Sequence, residues 1–301
     1  MKKRNLRPGD IAFDSINYLI LIFIGLITLY PFLHVLAISL NDGMDSIKGG
    51  IGIVPRVLSV ASYRMIFEHP QLLSAAGMSL ARTVVGLTIS MTFTTMLAYV
   101  LTKRYLVGYK FFNTIFVMAM FLGAGLIPTF MNYKSLHLNN TFWVYVIPGA
   151  VNIWNMTLLR NSFDTLPDSL EESARLDGAN DFQIFFRIVL PLSGPILATI
   201  SLFVAVQQWN AWQDTLYYTS NDSLVTLQYL LMTVIKQAEA GQMAAQRLRG
   251  LPTIAKRLGQ NVTPDSVKMA ITMVATVPIL CVYPFVQKYF VKGVMVGAIK
   301  E

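Results

Sequence analysis

The sequence predicts an all-α integral membrane protein with six membrane-spanning helices and both termini on the cytoplasmic side. Three observations predict it. Hydrophobic residues make up 54% of the chain and charged ones only 13%, about half the share of charge in a soluble globular domain. The apolar residues gather into runs of roughly twenty, the length at which a helix crosses a bilayer. Short basic clusters flank alternate ends of these runs, and Lys and Arg near span ends mark the cytoplasmic face. The formal charge of +8 therefore reports orientation against a lipid surface, and nucleic acid is not an expected partner. The single cysteine, Cys281, excludes a disulfide framework within the chain and any cysteine-based metal cluster. It reads as a small packing residue.

Residues 1–15 form a basic cytoplasmic N-terminus carrying Lys2, Lys3, Arg4 and Arg7. The apolar run 16–39 is longer than a signal-peptide core and no small-residue cleavage site follows it, so it is the first span, bent near Pro31. His34 lies in it as a packed or interfacial residue, with no second histidine at ligand spacing. Residues 41–70, with Gly43, Gly49, Gly50, Gly52 and Pro55, read as an irregular external loop holding one short helix over 61–68. The second span covers 75–101, with Arg82 at its outer end and Lys103 and Arg104 at its inner end. With Lys110 these two make a short cytoplasmic loop.

The third span covers 111–132 and carries Gly123, Gly125 and Pro128 near its outer end, where small residues permit close helix contact and proline bends the axis. The fourth, 142–159, returns inward. The fifth, 196–212, goes outward and ends in Gln207, Gln208, Trp209, Asn210 and Trp212. A long external loop, 214–265, contains an amphipathic stretch at 224–235 and a basic tract with Arg247, Arg249, Lys256 and Arg257. Long loops translocate largely regardless of charge. Thr263 and Pro264 read as a cap and a first-turn proline. The sixth span, 267–289, leads to a cytoplasmic tail, 291–301. Residues 16–301 thus form a single transmembrane domain.

Between the fourth and fifth spans lies a cytoplasmic loop, 161–191, whose centre has no spanning character. Asp168 or Ser169 caps a helix there, each with a Glu three residues on that can reach back to the free amides. The helix stops at Gly178. A second short helix follows Asn180 or Asp181, with Phe182, Phe185, Phe186 and Val189 at helical spacing and Pro191 closing it.

The pattern Glu172-Ser173-Ala174, then Gly178, then Ile188, Leu190 and Pro191 resembles the EAA loop of permease subunits in bacterial ATP-binding-cassette importers. Ser173 stands where that pattern usually has Ala. The resemblance extends over nearly the whole chain and is closest to carbohydrate permeases of the maltose type, near the subset for oligosaccharides of polysaccharides such as alginate. Gly125-Leu126-Ile127-Pro128-Thr129, Trp209-Asn210-x-Trp212, Tyr283-Pro284-Phe285 and the tail Gln287 to Gly293 carry that narrower likeness. It implies a type I importer permease fold in a bacterial plasma membrane. It also implies a coupling helix, made of Glu171, Glu172, Ser173, Ala174, Asp177, Gly178, Ile188, Leu190 and Pro191, that meets the ATPase. The implied partners are a second homologous permease, a dimeric ATP-binding subunit that holds ATP and Mg, an extracytoplasmic solute-binding protein, membrane lipid, and a sugar or oligosaccharide. The C-terminal tail, 291–301, is a second implied ATPase contact.

Aromatic faces cover the apolar C–H surface of sugars, and amides satisfy their hydroxyls. Gln207, Trp209, Asn210 and Trp212 on the fifth span, with Asn152 and Asn155 on the fourth, are therefore candidate pathway residues. The competing readings are an interfacial aromatic belt and helix–helix amide bonds. Arg82 either balances an anionic sugar or snorkels to the outer surface. The chain has no Gly-rich phosphate loop ending in Lys-Ser/Thr, no His-rich metal motif and no nucleophile elbow, so no catalytic, cofactor or metal residue is expected in it. The alternative of an ion-gradient-driven secondary transporter calls for acidic residues in mid-span, and the six runs have none at their centres.

Overall fold

A computed structural model describes residues 8–247 and 262–298. Its elements are helices α1 (Pro8–Ser39), α2 (Gly43–Ser46), α3 (Ala61–Phe67), α4 (Leu72–Val100), α5 (Tyr109–Phe121), α6 (Leu126–Ser135), α7 (Ile153–Phe163) and α8 (Asp168–Leu176). They continue with α9 (Asp181–Leu192), α10 (Gly194–Asn210), α11 (Gln213–Tyr218), α12 (Leu227–Arg247) and α13 (Pro264–Ala298). Among the described residues there is no β-strand beyond an isolated bridge between Asn41 and Leu58. Lys2, Lys3, Arg4, Arg7, Lys300 and the tract from Arg249 to Arg257 lie outside the described residues.

Among the described residues three helices are long and apolar enough to cross a membrane, over Phe13–Ser39, Leu72–Val100 and Pro264–Val282. α9 and α10 together make a fourth candidate, bent by 84° at Ser193. The third and fourth runs are not continuous helices. The third breaks between α5 and α6, where Gly125 takes φ +79°, a conformation open to glycine. Pro128 then sits in the first turn of α6, where its missing N–H costs nothing. The fourth begins as a 3-10 turn over Phe142–Tyr145, is interrupted at Pro148 and Gly149, and becomes helical only at Ile153. Asn152 caps α7 by accepting the Asn155 N–H at 2.9 Å.

The chain divides into two compact units. One holds residues up to 69 with 231–277. In it the loop over 41–60 is tied by Asn41, a buried side chain whose oxygen accepts the N–H groups of Arg56 and Val57 at 2.8 and 2.9 Å. Its amide donates to the Asp45 carboxylate at 3.2 Å. That hydrogen bond, with Lys48 and Arg56 alongside, holds the Asp45 pKa below the usual carboxylate value. The short helix expected at 61–68 is α3. His34 Nδ1 donates to the Gly52 carbonyl at 3.0 Å, and the ring stacks on Tyr30. At the start of α13, Thr263 and Ser266 exchange bonds between side chain and backbone at 3.0 and 3.3 Å, with Pro264 in the first turn as the sequence predicts.

The second unit holds residues 70–230 and 278 onward. Its core is Ala98, Tyr99 and Leu101 from α4 and the residue after it, Met156, Leu159 and Phe163 from α7, Ile184, Phe185 and Val189 from α9, and Ile200 and Val204 from α10. Cys281 is exposed within the single chain. Most of the expected tail, up to Ala298, is a continuation of α13.

Candidate coupling helix and cavity wall

Local rules build α8 and α9. Pro167 occupies the position before α8, and no side chain bonds its first amides. The capping box expected from Asp168 or Ser169 is therefore absent: Pro167 takes the cap position, and Asp168 and Glu171 lie inside the first turn, where carboxylates favour the positive end of the helix dipole. At the other end Gly178 N–H donates to the Arg175 carbonyl at 3.0 Å and Ala179 N–H to the Ala174 carbonyl at 2.9 Å. This is a Schellman ending, and it requires the φ of +85° at Gly178. Two residues later Asn180 and Gln183 form a capping box, with both bonds at 2.9 Å. α9 does not close at Pro191. A π-helical turn over Phe185–Val189 absorbs an extra residue, and the helix runs through Pro191 to Leu192 before the bend.

Two faces of α8 have different partners. Inward, Ala174 packs against the core, as do Ile188 and Leu190 of α9. Glu171 forms an ion pair with Lys103, whose side chains are 22% and 12% exposed, and the Lys103 ammonium lies 4.3 Å from the centre of the Tyr99 ring. Arg175 donates to the Tyr105 hydroxyl at 2.9 Å and to Asp181 at 2.7 Å. The bond to Tyr105, above all, keeps the Arg175 pKa raised and its charge fixed. Outward lie Glu172, Ser173, Asp177 and Gly178. Leu176 stands beside them at 89% exposure. Sequence reading missed it. Its signal was available, since 169, 172, 173 and 176 fall on one helical stripe and Leu176 is the apolar member.

The second feature is a cavity of about 900 Å³. Gln207, Asn210 and Trp212 line it, with Arg82. Trp209, Asn152 and Asn155 lie outside its lining; Asn152 is a helix cap and Asn155 is buried. Lining residues that were not among the sequence candidates include Gln208, Gln213, Asp214, Tyr133 and Tyr145, with apolar Leu202, Phe203 and Val206.

Arg82 does not snorkel, and its guanidinium is bonded within the chain. It is 2% exposed. Its Nε donates to Gln208 Oε1 at 2.9 Å, its Nη1 to the Ala211 carbonyl at 3.2 Å and its Nη2 to Asp214, while its guanidinium lies 4.7 Å from the centre of the Tyr145 ring. Burial without a partner would cost several kcal/mol, about 3–5 when one member of such a pair is removed, so an arginine at this depth must have found these acceptors. Gly86 makes room for the arrangement: a Cβ there would stand 2.9 Å from the Gln208 amide.

Residues 75–296 match the family described as binding-protein-dependent transport system inner membrane component. The chain belongs to this family. It is 37% identical over 292 residues to the polygalacturonan/rhamnogalacturonan transport system permease protein YtcP of Bacillus subtilis, covering 96% of this chain and 98% of that one. Protein LplC of the same organism is 35% identical over 298 residues, 98% of this chain and 97% of its own. Among solved structures, a chain of a bacterial ABC transporter involved in the import of the acidic polysaccharide alginate superposes with a TM-score of 0.77 at 29% identity, covering 96% of this chain and all of that one. The permease therefore has the type I importer fold, and as an inner-membrane transport component it is a subunit whose family places ATP hydrolysis in a separate chain.

Proposed function

We propose that this permease forms, with a second homologous permease, the pathway by which a sugar or oligosaccharide enters a bacterial cell. An extracytoplasmic binding protein delivers the sugar, and a separate ATPase dimer, holding ATP and Mg, drives alternating access. The chain crosses the plasma membrane six times with both ends inside, residues 1–15 as the cytoplasmic N-terminus, 214–265 as the external loop and 291–301 as a cytoplasmic tail. The third and fourth crossings are the broken ones. The relatives that transport polygalacturonan and rhamnogalacturonan and alginate support an oligosaccharide cargo.

The observation that carries this reading is the two-faced coupling helix. Transmission of force requires a rigid element fixed to the bundle on one side and open to a motor on the other. α8 has both: Glu171, Ala174 and Arg175 tie it down, and Glu172, Ser173, Leu176 and Asp177 are presented outward. Closure of the ATPase dimer pushes that outer face, and α9 transmits the displacement through Ile184, Phe185 and Val189 into α4, α7 and α10. The cavity wall with Gln207, Asn210 and Trp212 receives the sugar.

The test is site-directed cross-linking in the assembled complex, with Cys281 replaced by Ser. Cysteines at Glu172 or Leu176 are expected to cross-link to the ATPase subunit, and cysteines at Glu171 or Ala174 are not. Equal cross-linking from both faces, or from neither, would contradict the reading. The secondary-transporter alternative lacks a supporting observation: the central parts of the apolar helices carry no Asp or Glu among the described residues.

A further inference from the structure

Where α10 ends, the chain makes a short extended step at Ala211, ψ 121°, before α11 begins at Gln213. A helix end leaves carbonyls without intrahelical partners, and here Arg82 supplies the donor. One guanidinium holds three points of the break: Gln208 in the last turn of α10, the Ala211 carbonyl at the step, and Asp214 in the first turn of α11. The residues carried between those points, Asn210, Trp212 and Gln213, line the cavity. The strut is itself braced, because the Tyr145 hydroxyl, beneath the guanidinium, donates to the Leu224 carbonyl at 2.7 Å and Thr215 bonds Thr226 at 2.9 Å.

The charge of this strut has a definite sidedness. The Arg82 side chain is 3% exposed and that of Asp214 37%. Both residues line the cavity, and the carboxylate presents the larger surface to it. Three of the five guanidinium N–H groups are bonded and the side chain is almost wholly covered, so a uronate carboxylate entering here meets little of Arg82 and a like charge at Asp214.

We propose that Arg82 and Asp214 make this part of the wall a reader of sugar hydroxyls that discriminates against carboxylates, with Asp214 as the charge-setting residue and Arg82 as the positioning residue behind it. Neutral ring surface is covered by Trp212, and hydroxyls are met by the amides of Gln207, Asn210 and Gln213. Any recognition of an acidic substrate's carboxylates comes from other residues. The inference rests on the proposed function, since it assumes that sugar passes this cavity.

The experiment uses the whole transporter in proteoliposomes with its binding protein. The probes are an oligogalacturonate and the same oligomer with its carboxylates methyl-esterified, so that length and hydroxyl pattern stay constant while charge changes. The readout is the ratio of acid to ester in uptake and in ATPase stimulation. Asp214→Asn keeps an acceptor for Arg82, removes the carboxylate and leaves the guanidinium uncompensated. It is expected to raise the acid-to-ester ratio at least about fivefold, the order set by one unit charge at the edge of a partly hydrated site. Arg82→Gln combined with Asp214→Asn removes both charges and is expected to fall between the native and the Asp214→Asn ratios. Asn210→Asp adds a second carboxylate to the same wall and is expected to lower the ratio, which supplies a reading even if Asp214→Asn fails to assemble. An unchanged ratio in a transporting Asp214→Asn or Asn210→Asp complex overturns the proposal. A native complex that carries no ATPase, or that moves solute without ATP, refutes the importer reading itself, which separates the two failures.

Discussion

Replacing Glu171 by Gln removes one charge from the pair that holds the inner face of α8 to the end of α4. At an effective dielectric of about 20 the gross attraction of such a pair is about 4 kcal/mol. Desolvation and the ordering of two long side chains offset most of it. Both partners are less than a quarter exposed, so solvent screening is limited, and Lys103 would remain facing the Tyr99 ring without its counter-ion. A net loss of about 1–2 kcal/mol follows, which lowers the ratio of docked to released α8 by about five- to thirtyfold. Amide hydrogen exchange over 168–176 in the complete complex reads that ratio directly, and stimulated ATPase activity with sugar uptake reads its consequence. We expect exchange to accelerate by that factor and uptake per ATP to fall. The pair Lys103→Glu with Glu171→Lys should recover a substantial part of both losses, whereas each reversal alone should be worse than Glu171→Gln. Unchanged exchange and unchanged coupling in Glu171→Gln, with the complex assembled, would refute the argument that this pair anchors the helix.

Gly178→Ala places a Cβ on a residue at φ +85° and should destabilise the Schellman ending by about 1–2 kcal/mol, seen as faster exchange at Ala179 and a weaker response of ATPase activity to sugar. Gly86→Ala drives a Cβ to 2.9 Å from the Gln208 amide; since Gln208 is held by Arg82, the expected result is lower uptake with assembly intact. The loop over 41–60 should respond to acid. The Asp45 pKa is held below its unfolded value by Asn41 first, with Lys48 and Arg56, so its contribution is complete above the unfolded value of about 3.9 and disappears as pH falls through the lower folded value. Hydrogen exchange over 41–60 should therefore rise at that acid edge in the native chain and lose the edge in Asp45→Asn.

The helices of the loop 161–191 were largely legible because their signals are local. Gly178 stops α8 for a reason that concerns one backbone angle, and Asn180 with Gln183 forms a box within four residues. The start of α8 was misread for an equally local reason: Pro167 displaces the cap by one position, and a pattern of Ser, Asp and Glu cannot say which of two adjacent residues the chain enters on. Hydropathy located the third and fourth apolar runs but not their breaks, since Gly123, Gly125, Pro148 and Gly149 are compatible both with a bent helix and with an interrupted one. Long-range partners were the least visible. Glu171 and Glu172 are alike in sequence, yet Lys103 claims one and leaves the other outward, a difference set by which face of α8 meets the end of α4. Arg82 could be placed at a depth but not given its fate, because Gln208, Ala211 and Asp214 lie about 130 residues away in the chain.

The most direct measurement of the central claim is ATPase activity and uptake by the reconstituted complex, with and without binding protein and oligosaccharide, for the native chain, Glu172→Lys and Gly178→Asp. Glu172→Lys alters the outward face and leaves the Glu171 ion pair in place, and Gly178→Asp disturbs the end of α8. The account predicts complexes that assemble and insert but lose stimulated hydrolysis and uptake. Normal transport by both variants, or movement of solute by the chain with no ATPase present, would contradict it.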